Sequence, residues 1–433
     1  MRTRLPDPSL FKTNRANLAA LLAPNSIAVI HSNDIYPSNV DAQLPFEQNS
    51  DLFYLTGVDQ EDTILILHPD AKDPKDREIL FVRESNDTIA VWEGAKLTKQ
   101  QASERTGITR IDWNDTFEVT LGVLAVQADN IYITTNEHPH GSVPIEPRNA
   151  RFVKQCKKRF PLHRYERLAP LIYKLRTIKA AEEIAFIQQA CDITEAGFRR
   201  VLGFLKPGVG EWEVQAEYIH EFTRSGSRGF AYTPILAGGS NACVLHYVEN
   251  NCELKDGDLM LMDVAAEYGG WNSDMTRTIP VNGKFTDRQR DVYNAVLRML
   301  HFADSILRPG ILMPEFQKQV MAQMEKELID LGLFTAEQAA AQDDTKPLVK
   351  KYFMHGTSHH IGIDVHDVSP AHTVVAPGMV FTIEPGIYIP AEKLGVRLEN
   401  DYLIGEIENI NLMATIPIEA DDIESLMAKG TAT

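Results

Sequence analysis

Residues 257–281 read GDLMLMDVAAEYGGWNSDMTRTIPV. Two apolar runs flank a polar, glycine-containing turn, which is the pattern of a buried β-hairpin. With the turn centred on Tyr268–Gly269, Asp263 faces Asp274, their Cβ atoms about 5 Å apart on one face. Two like charges at the end of a buried strand destabilise a sheet unless a cation lies between them or one is protonated. Residues 378–405, GMVFTIEPGIYIPAEKLGVRLENDYLIG, repeat the device with glutamates. A loop centred near Ala391–Glu392 sets Glu384 opposite Glu399. One facing pair alone is compatible with a solvated sheet edge. Two pairs at matching places point to a shared cation.

The segments before the hairpins also repeat. KAAEEIAFIQQACDITEAGFRRVLGFL and EWEVQAEYIHEFTRSG read as helices ahead of the first hairpin. TDRQRDVYNAVLRMLHFADSILRPG and MPEFQKQVMAQMEKELIDLG read as helices ahead of the second. The echo of LKPGVGEWEVQ in LRPGILMPEFQ supports two halves of the same design, helix–helix–sheet twice over. If the halves pack about a pseudo-twofold axis, the four carboxylates converge.

Between the hairpins lies YFMHGTSHHIGIDVHDV, Tyr352–Val368, with His355, His359, His360 and His366. A core segment would not favour so many titratable rings, because each must find partners when buried. The segment is either a wet loop or a binding site. Upstream, SIAVIHS, TILILHP, EILFVRE and NIYITTN read as strands of an α/β domain extending to about Tyr173. A basic, less periodic stretch, RNARFVKQCKKRFPLHRYERLAP, precedes the boundary. The division is therefore 1–173 and 174–433, as expected for a chain of 433 residues.

A formal net charge of -17 argues against a nucleic-acid partner, since phosphate binding needs concentrated basic surface. No run approaches the roughly 18 apolar residues that span a bilayer, so no membrane partner is expected. The start, MRTRLPDPSLFKTNR, lacks the apolar segment of a secretory signal, and a cytoplasmic location is expected. Cys156, Cys191, Cys243 and Cys252 have no CxxC spacing, which disfavours a disulfide framework or a zinc–thiolate site. They are expected to be small buried hydrophobes.

HYVEN, MDVAAEYGGWNSDMTRTIPVNGKFT, HGTSHHIGIDVHDV, TIEPGIY and GVRLEND together resemble aminopeptidase P, the Xaa-Pro aminopeptidases, and more widely the pita-bread metallopeptidases. QNSDLFYLTGV resembles the non-catalytic N-terminal domain shared by aminopeptidase P and prolidase. The resemblance implies an N-terminal α/β domain ahead of a C-terminal pita-bread catalytic domain with pseudo-twofold halves. It implies metal ligation by Asp263, Asp274, His359, Glu384 and Glu399, with Asp274 and Glu399 bridging two ions. His246, His355 and His366 fall on the family's active-site histidines, and Arg397 on an arginine beside the ligand strand. His360 is expected to be a bystander, where the family favours an aromatic ring.

An oxygen-rich set with one imidazole suits Mn²⁺ or a similar divalent ion. Two such ions would hold a hydroxide for attack on the bond before proline, with Glu384 accepting a proton. His246 and His366 would support the tetrahedral intermediate. Tyr232 and Tyr388 match tyrosines near the family's site, though packing under the sheet would explain either. Asp41 and Trp92 match positions that can contact substrate across subunits of a homo-oligomer, dimer or tetramer. A loop aspartate and a core tryptophan are their plain alternatives. Between VHDV and APGM the chain has only SPAHTVV, without the arginine that loop often carries; His372 is its one titratable side chain. The expected activity is release of the N-terminal residue from peptides with proline second. The rivals are a prolidase restricted to dipeptides and a non-catalytic peptide-binding protein.

Overall fold

The computed structural model describes residues 4–137, 144–343 and 345–430. The chain divides into two compact units. One holds Leu5–Arg176 with Val368–Pro370; the other holds Thr177–Asp367 and the chain from Ala371.

The first unit is built on one six-stranded sheet. Its strands are β1 Ser26–His31, β2 Ile64–Leu67, β3 Glu78–Val82, β4 Arg110–Trp113, β5 Asn130–Ile133 and β6 Arg164–Arg167. Their spatial order is β4-β3-β2-β1-β5-β6. β1 is buried along its whole length, and Ile27, Val29, Ile66, Phe81 and Ile131 meet Phe117, Leu121 and Phe152 in the core. The basic stretch that looks aperiodic holds a helix, Arg148–Arg159, and the edge strand β6. Only Phe152 and Cys156, one turn apart, are buried on that helix. β6 is mostly exposed, so pairing with β5 defines it rather than apolar alternation.

The second unit runs helix, helix, sheet twice. Helices Ala181–Phe204 and Glu211–Arg224 precede β7 Ile235–Gly238, β8 Leu259–Asp263, β9 Glu267–Tyr268, β10 Trp271–Asn272 and β11 Thr276–Pro280. Helices Asp287–Ile306 and Met313–Asp330 precede β12 Val380–Ile383, β13 Gly386–Ile389, β14 Leu394–Arg397, β15 Asn400–Leu403 and β16 Ile410–Asn411. No helix among the described residues is long and apolar enough to cross a membrane.

The two hairpins differ in how well their registers follow expectation. In the second, β12–β15 and β13–β14 share one continuous register on both sides of a short break. That register sets Glu384 opposite Glu399, as the sequence predicts. In the first, Asp263 pairs with Thr276, not Asp274. The turn is centred on Gly269–Gly270, both with positive φ, 65° and 97°. Two consecutive left-handed residues make the tight turn whose twist suits a hairpin, and adjacent glycines adopt it freely. Asp274 therefore lies diagonally across from Asp263. It remains on the same face, because residues two apart along a strand share a side.

The hairpins are joined to each other. Glu399 N–H donates to Thr276 O at 3.0 Å, and the Thr278 hydroxyl links to both N–H and C=O of Arg397. The fully buried Arg277 guanidinium donates to the carbonyls of Thr276, Glu399 and Pro417 and to Asn400 Oδ1. Arg277→Met removes the donors to buried Glu399 O and Asn400 Oδ1 and to part-buried Pro417 O, while Thr276 O keeps the Glu399 N–H. It is expected to lower stability by about 2 kcal/mol or more in a urea melt.

Candidate metal centre

Asp263 ends β8, where the strand leaves its apolar run. Asp274 stands just before β11, and its N–H donates to Asp401 Oδ2 at 3.0 Å. Glu384 follows β12, its N–H donating to Thr357 O at 2.8 Å. Glu399 lies between β14 and β15. The His359 segment runs alongside β12: Thr382 N–H donates to His359 O, and His359 N–H to the Thr382 hydroxyl. Each ligand candidate lies in or beside a strand, and its backbone is held by hydrogen bonds to neighbouring segments or to buried side chains.

These groups converge. Asp274, His359 and Glu399 each offer one ligand atom, all within 4.8 Å of one another. His359 Nε2 lies 3.4 Å from Asp274 Oδ2 and 3.7 Å from Glu384 Oε1. Its Nδ1 faces the His360 carbonyl at 2.9 Å, so Nδ1 carries the proton and Nε2 is turned to the carboxylates. That second bond is the usual means of orienting a metal-binding imidazole. The Glu399 carboxylate accepts from the Thr276 hydroxyl at 2.6 Å, and Asp274 Oδ1 accepts from the Tyr232 hydroxyl at 2.6 Å. Asp263 Oδ2 accepts from Arg397 at 2.5 Å, while its buried Oδ1 has no partner.

The electrostatics show what the cluster lacks. Burial, then the neighbouring acids, hold the Glu399 carboxyl well above the carboxylate range. Burial pushes Glu384 up to about 7 against the opposing charges of His359 and Arg397, with Asp274 and Asp263 adding to the rise. Burial raises Asp263 too, with Arg397 opposing and Asp274 adding to it. Burial would lower His359, but hydrogen bonding to Asp274 and the charges of Glu384 and Asp274 raise it to about 9. A proton on Nε2 would occupy the position a cation would take. Oxygen donors in excess, one oriented imidazole and an orphaned buried carboxylate oxygen fit a hard divalent ion.

A second layer completes the cluster. His355 Nδ1 donates to Gly356 O at 2.7 Å, so its Nε2 accepts from the Tyr388 hydroxyl at 2.9 Å. Arg397 donates to Tyr388 Oη at 2.8 Å as well as to Asp263 and the Thr276 hydroxyl. Burial and the Arg397 charge keep His355 neutral, at about 3. His366 is exposed, its ring centroid 4.1 Å from that of His359. His246 lies on an exposed turn after the short helix Gly239–Cys243. Buried Glu211 holds that turn by accepting from Gly238 N–H, Tyr247 Oη and Cys252 N–H.

His360 is buried against Phe381, ring centroids 4.0 Å apart, and burial holds it neutral at about 3. Its packing is that of an aromatic core residue. Asp41 and Trp92 belong to the first unit and are both exposed; Trp92, at 83 %, is not a core tryptophan. Nor are the cysteines uniformly buried, since Cys252 is exposed and Cys243 half-buried.

Three residues of the centre have no place in the sequence reading. Thr276 bridges Glu399 and Arg397, and Arg277 joins the hairpins. Asp401 is fully buried and accepts from Asp274 N–H and the Cys191 thiol. Strand alternation offered a signal for Asp401, which shares a face with Glu399 two residues earlier. Thr276 and Arg277 had none, because their partners lie more than 120 residues away.

Two helix–helix–sheet halves that bring acids and one imidazole together from facing hairpins are the pita-bread fold of metal-dependent hydrolases. Residues 185–406 match the model of metallopeptidase family M24, and residues 11–132 match that of the aminopeptidase P N-terminal domain. The chain belongs to metallopeptidase family M24 and is a metal-dependent aminopeptidase. It is 34% identical to a Xaa-Pro aminopeptidase of Escherichia coli, with 96% of this chain and 97% of that one covered. Identity to a Haemophilus influenzae Xaa-Pro aminopeptidase is 32%, covering 96% of each. A zinc-substituted E. coli aminopeptidase P solved with product superposes with a TM-score of 0.88 at 32% identity, over 99% of both chains.

Proposed function

We propose that the protein releases the N-terminal residue from peptides whose second residue is proline. The observation that carries this reading is the convergence of Asp274, His359 and Glu399, with Asp263 and Glu384 beside them. Likeness to Xaa-Pro aminopeptidases over nearly the whole chain supports the substrate class. In this reading residues 174–433 are the catalytic domain and residues 1–173 a non-catalytic one. The five ligand candidates hold two divalent ions, with Mn²⁺ the favoured choice for oxygen-rich donors.

Bound ions would supply positive charge that polarises the scissile carbonyl and lowers the pKa of water. The chain's own groups do the rest. Glu384, beside Asp274 and His359, accepts a proton from the attacking water and returns it to the leaving amine. His246 and His366, both exposed toward solvent, donate hydrogen bonds to the tetrahedral intermediate. Arg397, Tyr388 and neutral His355 form a relay of donors that fixes Asp263 and the wall beside Glu384. Tyr232 orients Asp274. Exposed Asp41 and Trp92 would meet the peptide of a neighbouring copy in a homo-oligomer.

The test compares a Xaa-Pro-Yaa tripeptide, the matching Xaa-Pro dipeptide and a Xaa-Ala-Yaa tripeptide, with Mn²⁺, Co²⁺ or Zn²⁺ added singly. The proline tripeptide is expected to be cleaved with kcat/KM at least about 10-fold above the alanine one. A chelator should abolish the reaction. Faster turnover of the dipeptide would instead identify a prolidase. Binding without turnover under any metal would identify a peptide-binding protein.

A further inference from the structure

We infer that the buried ion pair Lys179–Asp367 positions His366 over the metal centre. This rests on the proposed role of His366. Lys179 lies just ahead of helix Ala181–Phe204 and donates its N–H to Gly378 O at 2.9 Å. Its Nζ meets Asp367 Oδ2 at 2.8 Å, and each side chain is only 2% exposed. Asp367 N–H donates to His360 O at 2.9 Å, so both backbone and side chain of Asp367 are fixed. The residue immediately before it is His366, exposed, its ring tilted 38° to that of His359 with centroids 4.1 Å apart.

The loop is built around this pair. A Cβ at Gly362 would stand 2.3 Å from Asp367 Oδ2 and 3.0 Å from Lys179 Cε, so only glycine leaves room for the contact. Gly362 O accepts from Asn272 N–H at 2.9 Å, which ties the loop to the first hairpin. Trp271 Nε1 donates to buried Glu183, whose carboxyl also feels the Lys179 charge.

A buried pair of this kind brings little net stability over apolar residues of the same volume, because both charges are desolvated. What it supplies is direction: a single geometry in which the ammonium is satisfied. Residues 359–367 are closed at one end by the metal-facing imidazole of His359 and at the other by this clamp. His366 has one place to stand. Lys179 and Asp367 are therefore positioning residues, acting through His366.

The test uses the full chain loaded with Zn²⁺, in Lys179→Met, Asp367→Leu, the double variant and Gly362→Ala. Thermal midpoint, metal content, tripeptide kcat and KM, and the His366 ring NMR signal, assigned with His366→Ala, are measured. Each single variant is expected to melt lower than the parent, and the double variant to recover the midpoint. The double should nonetheless retain its metal, keep kcat about 10- to 100-fold down with KM little changed, and show a broadened or doubled His366 signal. Gly362→Ala, which removes no charge, should show the same kcat loss and the same signal. Recovery of kcat together with the midpoint in the double variant would mean the pair is only structural, and would overturn the inference. So would a parent-like His366 signal in the double. If the parent itself cleaves no Xaa-Pro peptide, the functional reading fails, and the NMR comparison still decides whether the pair positions His366.

Discussion

Replacing His359 by alanine is expected to abolish peptide hydrolysis and deplete bound metal. The imidazole is the only nitrogen donor in the cluster, and its Nε2 stands within 3.7 Å of both Asp274 and Glu384. Removing it leaves carboxylates whose mutual repulsion is relieved by Arg397 alone. The loss in kcat/KM should exceed about 100-fold, the upper range for removing an outer partner of a metal ligand. Metal analysis of the purified variant and tripeptide turnover measure the two effects. His360→Phe is the control: its ring occupies an aromatic slot against Phe381, so metal and turnover should survive. A His359→Ala protein with parental metal content and turnover would refute the assignment.

Stripping the metal should make stability fall as pH rises. The carboxyls of Glu384 and Glu399 are held above their ordinary values first by burial and then by neighbouring acids, Asp274 and Asp263 acting on both, with Glu384 at about 7. A carboxyl whose folded pKa is raised favours the folded state fully below its unfolded value, near 4.5. That contribution is lost as pH climbs through the folded value. For Glu384 the loss between pH 4.5 and 7 is on the order of 3 kcal/mol.

His359, raised to about 9, acts in the same sense over a higher window. Its stabilisation is complete below about pH 6.5 and disappears by pH 9. Histidines held neutral oppose this. His31, His355 and His360, each held at about 3, cost stability as pH falls below 6.5. They do so with or without metal, apart from His355 at the edge of the cluster. The quantity to measure is therefore the difference in urea midpoint between metal-loaded and chelator-treated protein from pH 4.5 to 9. It should widen steadily with pH, since metal replaces protons on the same groups. A constant difference would contradict the convergence of these carboxylates.

Both predictions depend on distances that no single segment specifies. What could be read locally was the residue inventory: acids closing apolar strands, a histidine-rich turn between them, and paired helices ahead of each. The Glu384–Glu399 register was legible because the loop between Ile389 and Leu394 is centred between Ala391 and Glu392, where the sequence placed it. The Asp263 partner was misplaced by two residues, Asp274 for Thr276, because the turn centre falls between the consecutive glycines, one position beyond Tyr268–Gly269. Even so, the shared face survived the error. The edge strand Arg164–Arg167 was invisible to periodicity, since an exposed strand has no buried face to mark it.

By itself, then, the sequence determined the local elements and which side chains each presents, because those follow from a repeat of two in strands and 3.6 in helices. Only the tertiary structure decided that Glu399 N–H meets Thr276, that Arg277 spans the two hairpins and that Asp401 backs Asp274. The roles of the adjacent imidazoles were expected from the resemblance; the tertiary structure supplied their contacts, His359 against the acids and His360 against Phe381. The reason is physical. A buried charge is tolerated only where partners from distant segments arrive together, and chain-local patterns carry no record of that meeting.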